Sequence, residues 1–316
     1  MYGAVREGLV MFTDFGTYRC FLCLALALGL VFARIAVAEY ISPGAVQIVT
    51  KRYHPEVTIP TDRLYHYEFT WQGIPVGDAS IRARLNQLPG GEMMHVEANA
   101  RTAKGIDIFY RLRHQSESVF RLENYHPLVF VSSQRENSKD KNRYISFRSD
   151  GTVVARSWKT GTEGDKSEFQ TTNAVFDPIS AAFFARTLPL EVGKEFAFDV
   201  FNGKHRYLIT FVIEAREMLE VAGKSRNTFR VTPTVKKLTD TEGEKRLHSA
   251  TLWITDDADR DVVRLASKVW IGRVEAKLVE VLPLAPLPKE AQVAMIAART
   301  DPRLIGSAAL DLSLTP

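Results

Sequence analysis

Cysteine is nearly missing from this chain of 316 residues: there are two, Cys20 and Cys23, and both fall in one N-terminal apolar stretch. The chain beyond residue 38 therefore has no thiol, which excludes disulfides, thiolate catalysis and Cys-ligated zinc or iron–sulfur sites there. A membrane-spanning run is missing too. The apolar segment from Phe21 to Ala33 is shorter than the roughly 20 residues that cross a bilayer, and Arg34 interrupts its extension. Arg6 and Arg19 precede that segment and the small residues Ala36-Val37-Ala38 follow it, which is the layout of a secretory signal cleaved before Glu39. Both cysteines stand at the start of the apolar run, whereas a lipid-modified cysteine would follow it. The expected product is a periplasmic protein with no transmembrane span after cleavage, and not a lipoprotein.

Neither charge sign dominates. Lys and Arg number 41, Asp and Glu 37, for a net charge of +4. Basic residues recur along strands, as in "IRARL" and "KHRYLITF", without the dense run of a nucleic-acid arm, so no nucleic acid is expected as a partner.

Catalytic signatures are absent as well. His54, His66, His95, His114, His126, His205 and His248 are scattered, no two at the spacing that pairs ligands on a helix face, and H-E-x-x-H does not occur. There is no G-x-S-x-G; Ser180 comes nearest but lacks flanking glycines and fits the first turn of a helix. The stretch "WITDDADRDVV" gathers Asp256, Asp257, Asp259 and Asp261. A calcium loop starting at Asp257 would need glycine at its sixth position and glutamate at its twelfth, where Val262 and Lys268 stand. The cluster reads as a turn between two strands, where aspartate hydrogen-bonds its own backbone. No enzyme activity, cofactor or metal is expected.

What the chain does have is period-two alternation, the mark of half-buried strands. It runs through "LYHYEFTW", "DASIRARL", "HVEANAR", "RYISFRS" and "TVVARSWK", then through "EFAFDVF", "RYLITFVIEA", "NTFRVTPTV", "ATLWITD", "VVRLASKVW" and "RVEAKLVEV". Asp150-Gly151 and Asn202-Gly203 are hairpin dipeptides. Two segments read as helix: "DPISAAFFARTLPL", with Asp177 as N-cap and Pro178 at the first position, and "PKEAQVAMIAAR" over 288–299. "AKGIDIFYRL" over 103–112 fits a helical turn or a bent strand equally. The expected fold is mostly β (α+β), a large curved antiparallel sheet or open half-barrel with a helix against its concave side. Its parts are a signal peptide (1–38), an N-terminal extension (39–61), the β domain (62–282), and a Pro-rich linker with a helical tail (283–316).

The order and spacing of "LYHYEFTWQGIPVGDASIRA", "ARTAKGIDIFYRLRHQSESVF", "YHPLVF", "DPISAAFFARTLPLEVGKEFAFDVFNGKHRY" and "LWITDDADRDVVRLASKVWIGRVEAKLVEV" resemble the bacterial periplasmic proteins grouped as domain-of-unknown-function family 3108. The resemblance covers about residues 62–282. It implies kinship with half-barrel lipoprotein carriers, whose concave face holds a lipid or another apolar group. The family has no established catalytic residues, so none transfer.

One helix is too small to cover a sheet of ten or more strands, so the sheet closes on itself or leaves an apolar face for a ligand. The groove residues expected on this reasoning are Phe183, Phe184, Trp71, Trp158, Trp253 and Trp270, with Phe184→Asp expected to weaken binding more than folding. The function expected is non-catalytic binding or carriage of a lipophilic or cell-envelope-derived ligand. The alternatives are an envelope scaffold with a protein partner, and a hydrolase of an envelope polymer built from scattered carboxylates.

Overall fold

The computed structural model describes residues 47–48, 55, 57–88, 90–238, 250–269 and 272–300. The expected signal, with Cys20 and Cys23, lies outside them, as does Trp270.

The first wing of the sheet is a run of hairpins: β2 (Arg63–Trp71), β3 (Ile74–Leu88), β4 (Gly91–Thr102), β5 (Leu112–Arg121), β6 (Pro127–Glu136), β7 (Lys139–Phe147), β8 (Thr152–Trp158) and β9 (Asp165–Gln170). The second wing comprises β11 (Glu195–Phe201), β12 (Arg206–Val221), β13 (Lys224–Lys237), β14 (Ala250–Thr255), β15 (Val262–Val269) and β16 (Gly272–Pro283). Two short strands, β1 (Gln47–Ile48) and β10 (Val175–Phe176), pair parallel with β11. All other neighbours are antiparallel, and the wings join where β16 pairs with β2. The result is one large, open, curved sheet with two helices, α1 (Pro178–Ala185) and α2 (Lys289–Thr300). Among the described residues two hairpins turn on two residues of positive φ, Gln72-Gly73 (51° and 84°) and Ala222-Gly223 (48° and 74°), the geometry that matches strand twist.

The connection from β9 to β11 runs from one edge of the sheet to the other, through β10 and α1. The two edges approach through side chains: Phe169 of β9 meets Phe201 of β11 edge-on at 5.0 Å, and the Arg206 guanidinium lies over Phe169 at 4.8 Å. Helix α1 touches β5 of one wing and β10 and β11 of the other. Its start is heavily specified. Asp177 accepts hydrogen bonds from the N–H groups of Ile179 (2.7 Å) and Ser180 (3.1 Å), its own N–H donates to Ser180 Oγ, and Ser118 of β5 donates its hydroxyl to Asp177 Oδ2 at 2.7 Å. Pro178 takes the first helical position, where no N–H is needed.

Successive strand residues point to opposite sides. Met94, Val96 and Ala98 of β4 face the main core with Tyr65, Phe120, Ile145, Phe184 and Phe198, while Met93 belongs to the other face with Val119, Val131, Tyr144 and Trp158. That second face is covered by α2, whose Ile296 is buried against it. This corrects the expectation that a single helix covers the sheet. The helical tail packs on the domain: Gln292 accepts from the Gln87 N–H at 2.8 Å, and Arg299 reaches Glu117. The segment read as helical turn or bent strand is the former: residues 104–109 form turns, with the N–H groups of Asp107 and Tyr110 donating to the carbonyls of Ala103 and Ile106, and the strand begins at Leu112.

Candidate functional site

The main face is apolar over most of its area, with an exception on β5, β6 and β7. Leu112, His114, Ser116 and Ser118 of β5 share one side, and the ladders align them in rows: Leu112–Glu136–Lys139, His114–Gln134–Lys141, Ser116–Ser132–Arg143 and Ser118–Phe130–Ile145. The first row lies beside the 103–111 loop, and the last meets α1 through the Ser118–Asp177 bond. A polar band thus crosses the interior wall between rim and helix. Ser116, Ser132 and Arg143 are buried, and the serine hydroxyls, Arg143 Nε and both His114 ring nitrogens have no hydrogen-bond partner. Such groups cost about 1–3 kcal/mol each when left unsatisfied. Burial, with the Arg143 charge adding to it, holds His114 down at about 3, so this imidazole is neutral at physiological pH. Burial lowers Arg143 to about 10. Burial, then Arg143 and Lys204, lowers Lys141 to about 8.

Beside this band the main face is lined by small side chains: Ala79, Ala100, Ala250 and Ala276, with Phe69, Leu112, Leu265 and Val274. Tyr67, Val76, Tyr110 and Leu252 pack against that set yet keep accessible surface. At the same end of the sheet the β2–β3 turn and the 103–111 loop lie together, tied by the hydrogen bond from Ala103 N–H to Val76 O at 2.9 Å. This rim exposes large apolar groups: Phe109 is 85% exposed, Ile108 81% and Ile74 57%.

Of the six expected groove residues, Phe183 and Phe184 stand together in the main core. Phe184 stacks on Phe176 with centroids 4.8 Å apart and meets Tyr125 and Phe198 edge-on; Phe183 packs on Phe120. Trp158 is on the other face, in the cluster that includes Ile296, under the Arg156 guanidinium. Trp253 stands opposite Arg230 and Arg264 in the ladder, with Arg264 over its ring and its indole N–H donated to Glu217. Trp71 ends β2 at the exposed rim. The structure thus places Trp253 in one buried cluster with the two phenylalanines and sets Trp71 and Trp158 apart from it. The β5–β7 band went unread because serine, histidine and arginine on a strand resemble a wetted face.

The aspartates each have a local task. Asp257 Oδ1 accepts from the Thr255 hydroxyl (2.7 Å) and the Asp259 and Arg260 N–H groups, Asp256 pairs with Arg216, and Asp259 with Arg63. Asp261 is buried and pairs with Arg186 at 3.0 Å. With the carboxylates so engaged, Asp257→Asn with Asp259→Asn is expected to leave the melting temperature independent of calcium and to change it only slightly. A calcium-dependent rise in the unaltered protein, lost in the double variant, would overturn the turn reading.

Among the described residues a second polar cluster lies under α2: His95, Glu97 and Glu117, with potential ligand atoms within 4.8 Å of one another. His95 Nε2 is 3.2 Å from Glu117, Arg299 donates to both Glu117 oxygens at 2.6 and 3.0 Å, and Arg82 pairs with Glu97 at 2.7 Å. The arginines already neutralise both carboxylates, so the arrangement serves as the polar anchor of the C-terminal helix.

Solved structures give low-similarity matches. A beta-barrel-like protein of domain of unknown function DUF1849 from Brucella abortus is 12% identical, with a TM-score of 0.47, over 71% of this chain and 98% of that one. The hypothetical lipoprotein YmcC from Escherichia coli K12 is 10% identical, with a TM-score of 0.26, over 72% of this chain and 90% of that one. No curated protein matches the chain. The family described as protein of unknown function (DUF3108) matches residues 66–279, from within β2 to within β16, and the chain belongs to it.

Proposed function

We propose that this protein is a non-catalytic periplasmic binding or carrier protein for a lipophilic envelope ligand held on the concave face of the half-barrel. On this reading the main face is the concave one, with α1 plugging one end and the other end left open. The observation that carries it is the uneven filling of that face. Around α1 it is filled by Phe120, Tyr125, Phe176, Phe183, Phe184 and Phe198; toward the rim the buried side chains are mostly small, Ala79, Ala100, Ala250 and Ala276, with partly accessible Tyr67, Val76, Tyr110 and Leu252 beside them. The exposed Ile108, Phe109 and Ile74 at that rim suit contact with an apolar surface from which such a ligand would be taken.

Ala100→Phe tests this. If the rim end is open, the variant should keep its melting temperature and lose saturable binding of a fluorescent fatty-acid analogue. If the face is packed solid, the added ring should destabilise the protein by about 1–3 kcal/mol. That result, or the absence of binding by the unaltered protein, would overturn the carrier reading in favour of an envelope scaffold.

A further inference from the structure

We infer that the Ser116–Ser132–Arg143 row is an anion site, and that the ligand is an amphiphile whose carboxylate or phosphate head is held there. The inference rests on the carrier reading and adds the chemical class of the ligand.

The row is built from direct cross-strand neighbours, Ser116 opposite Ser132 and Ser132 opposite Arg143, whose Cβ atoms lie about 5 Å apart in such ladders. Ser116 is 0% exposed, Ser132 2% and Arg143 8%. Their hydroxyls and the Arg143 Nε lack partners, and Arg143 forms no ion pair among the described residues. A buried guanidinium without a carboxylate is costly unless an anion neutralises it. The neighbouring charges are also cationic: Lys141 on the adjoining row, and Lys204 in the β11–β12 turn. The nearby acid is Glu136, on the rim-side row; burial pushes its carboxyl up, against the neighbouring Tyr110 hydroxyl and the pull of Lys141 and Lys139.

The β11–β12 turn encloses the row. A side chain at Gly203 would begin 3.0 Å from Arg143 Cδ and 3.4 Å from Ile145, and Gly203 has φ +90°, so glycine serves both the turn and the close approach. An anion here would accept hydrogen bonds from two hydroxyls and the guanidinium in surroundings poor in water, where such bonds are strong. The rows on either side fix its depth. Leu112 and Glu136 stand toward the rim, and Phe130, Ile145 and α1 beyond, so a chain attached to the head would run along the alanine-lined wall rather than into the aromatic core.

Calorimetric titration of the full chain with dodecanoate, dodecyl phosphate and dodecanol at pH 7.5 tests the site. Both anions should bind at least about tenfold tighter than dodecanol, and Arg143→Met should remove that preference. The order of the two anions separates a fatty acid from a phospholipid as the source. Should Arg143→Met fail to fold, Ser132→Val and Lys204→Ala, the latter in an exposed turn, should each narrow the preference. If dodecanol binds as tightly as the anions, or the preference survives in these variants, the anion site is overturned and the carrier reading stands. If none of the three binds, both fall.

Discussion

Phe184→Ala is expected to lower the stability of the protein by about 3–5 kcal/mol, because the residue sits where an aromatic cluster from both wings converges. It is 0% exposed, stacks on Phe176, and presents edges to Tyr125 and Phe198. These neighbours come from the β5–β6 connection, from β10 and from β11, so the cavity left by the ring is bounded by elements that cannot all collapse into it. Urea denaturation of the two proteins measures the difference; a loss below about 1 kcal/mol would show the site to be soft. For the same reason an aspartate at this position is expected to unfold the domain, which corrects the expectation that Phe184→Asp would report mainly on ligand binding. Burying an unpaired carboxylate there costs several kcal/mol more than truncation does.

Arg186→Met is expected to cost about 3–5 kcal/mol, through a different cause. Arg186 caps the C-terminus of α1 and reaches into the Asp256–Asp261 turn. It donates to the Arg260 carbonyl (2.8 Å), the Asp259 carbonyl (3.0 Å), Asp261 Oδ1 (3.0 Å) and the Tyr65 hydroxyl (3.2 Å), and lies over the Phe183 and Tyr65 rings. Burial disfavours its charge, but Tyr65 and Asp261 outweigh that and raise its pKa. Burial pushes the Asp261 carboxyl up, and Arg186 and Arg63 pull it back. Removing the guanidinium leaves a buried carboxylate with only Arg63, 3.7 Å away, and strands two carbonyls. The paired variant Arg186→Met with Asp261→Leu should recover part of the loss, since the uncompensated charge rather than the missing bridge causes most of it. If the double variant is no more stable than Arg186→Met, the loss comes from the helix cap and ring packing instead.

These two sites show what sequence reading reaches. The strands of the second wing, the Asp177 cap and the two helices could be read because each leaves a local trace: alternation, an aspartate before a proline, and an apolar run closed by another proline. β5 left no such trace. In "LRHQSESVFR" both sides of the strand are polar over most of its length, with Arg113, Gln115 and Glu117 on one face and His114, Ser116 and Ser118 on the other. Yet Ser116, Glu117 and Ser118 are all buried, because α1 and the curled sheet cover one face and α2 the other. Period-two patterning detects a strand by contrast between its faces, and here there is none. Which tryptophans share a surface is likewise set by register and by which face a helix happens to cover, and neither is a local property. Arg186 and Asp261 are 75 positions apart. Nothing in either neighbourhood marks them as partners.

The joint between the two wings has a consequence for the order in which the domain assembles. Among the described strands β2 is nearly the first and β16 the last, and they lie side by side, Trp71 opposite Val274 and Arg63 opposite Pro283. Neither wing can complete this ladder until the chain through Pro283 is available, so the middle of the finished sheet is the last part that can zip. Pairing between strands so distant along the chain raises the contact order and slows folding, because a long loop must close before any bond rewards it. Until then two strands destined for the interior of the sheet are open edges, each able to template pairing with another chain. β9, which remains an edge in the finished fold, carries Asp165, Lys166 and Glu168 along its exposed length. β2 and β16 also carry charge, at Arg63, Glu68, Arg273, Glu275, Lys277 and Glu280, so the same charges that decorate the finished surface guard the unfinished one during the delay.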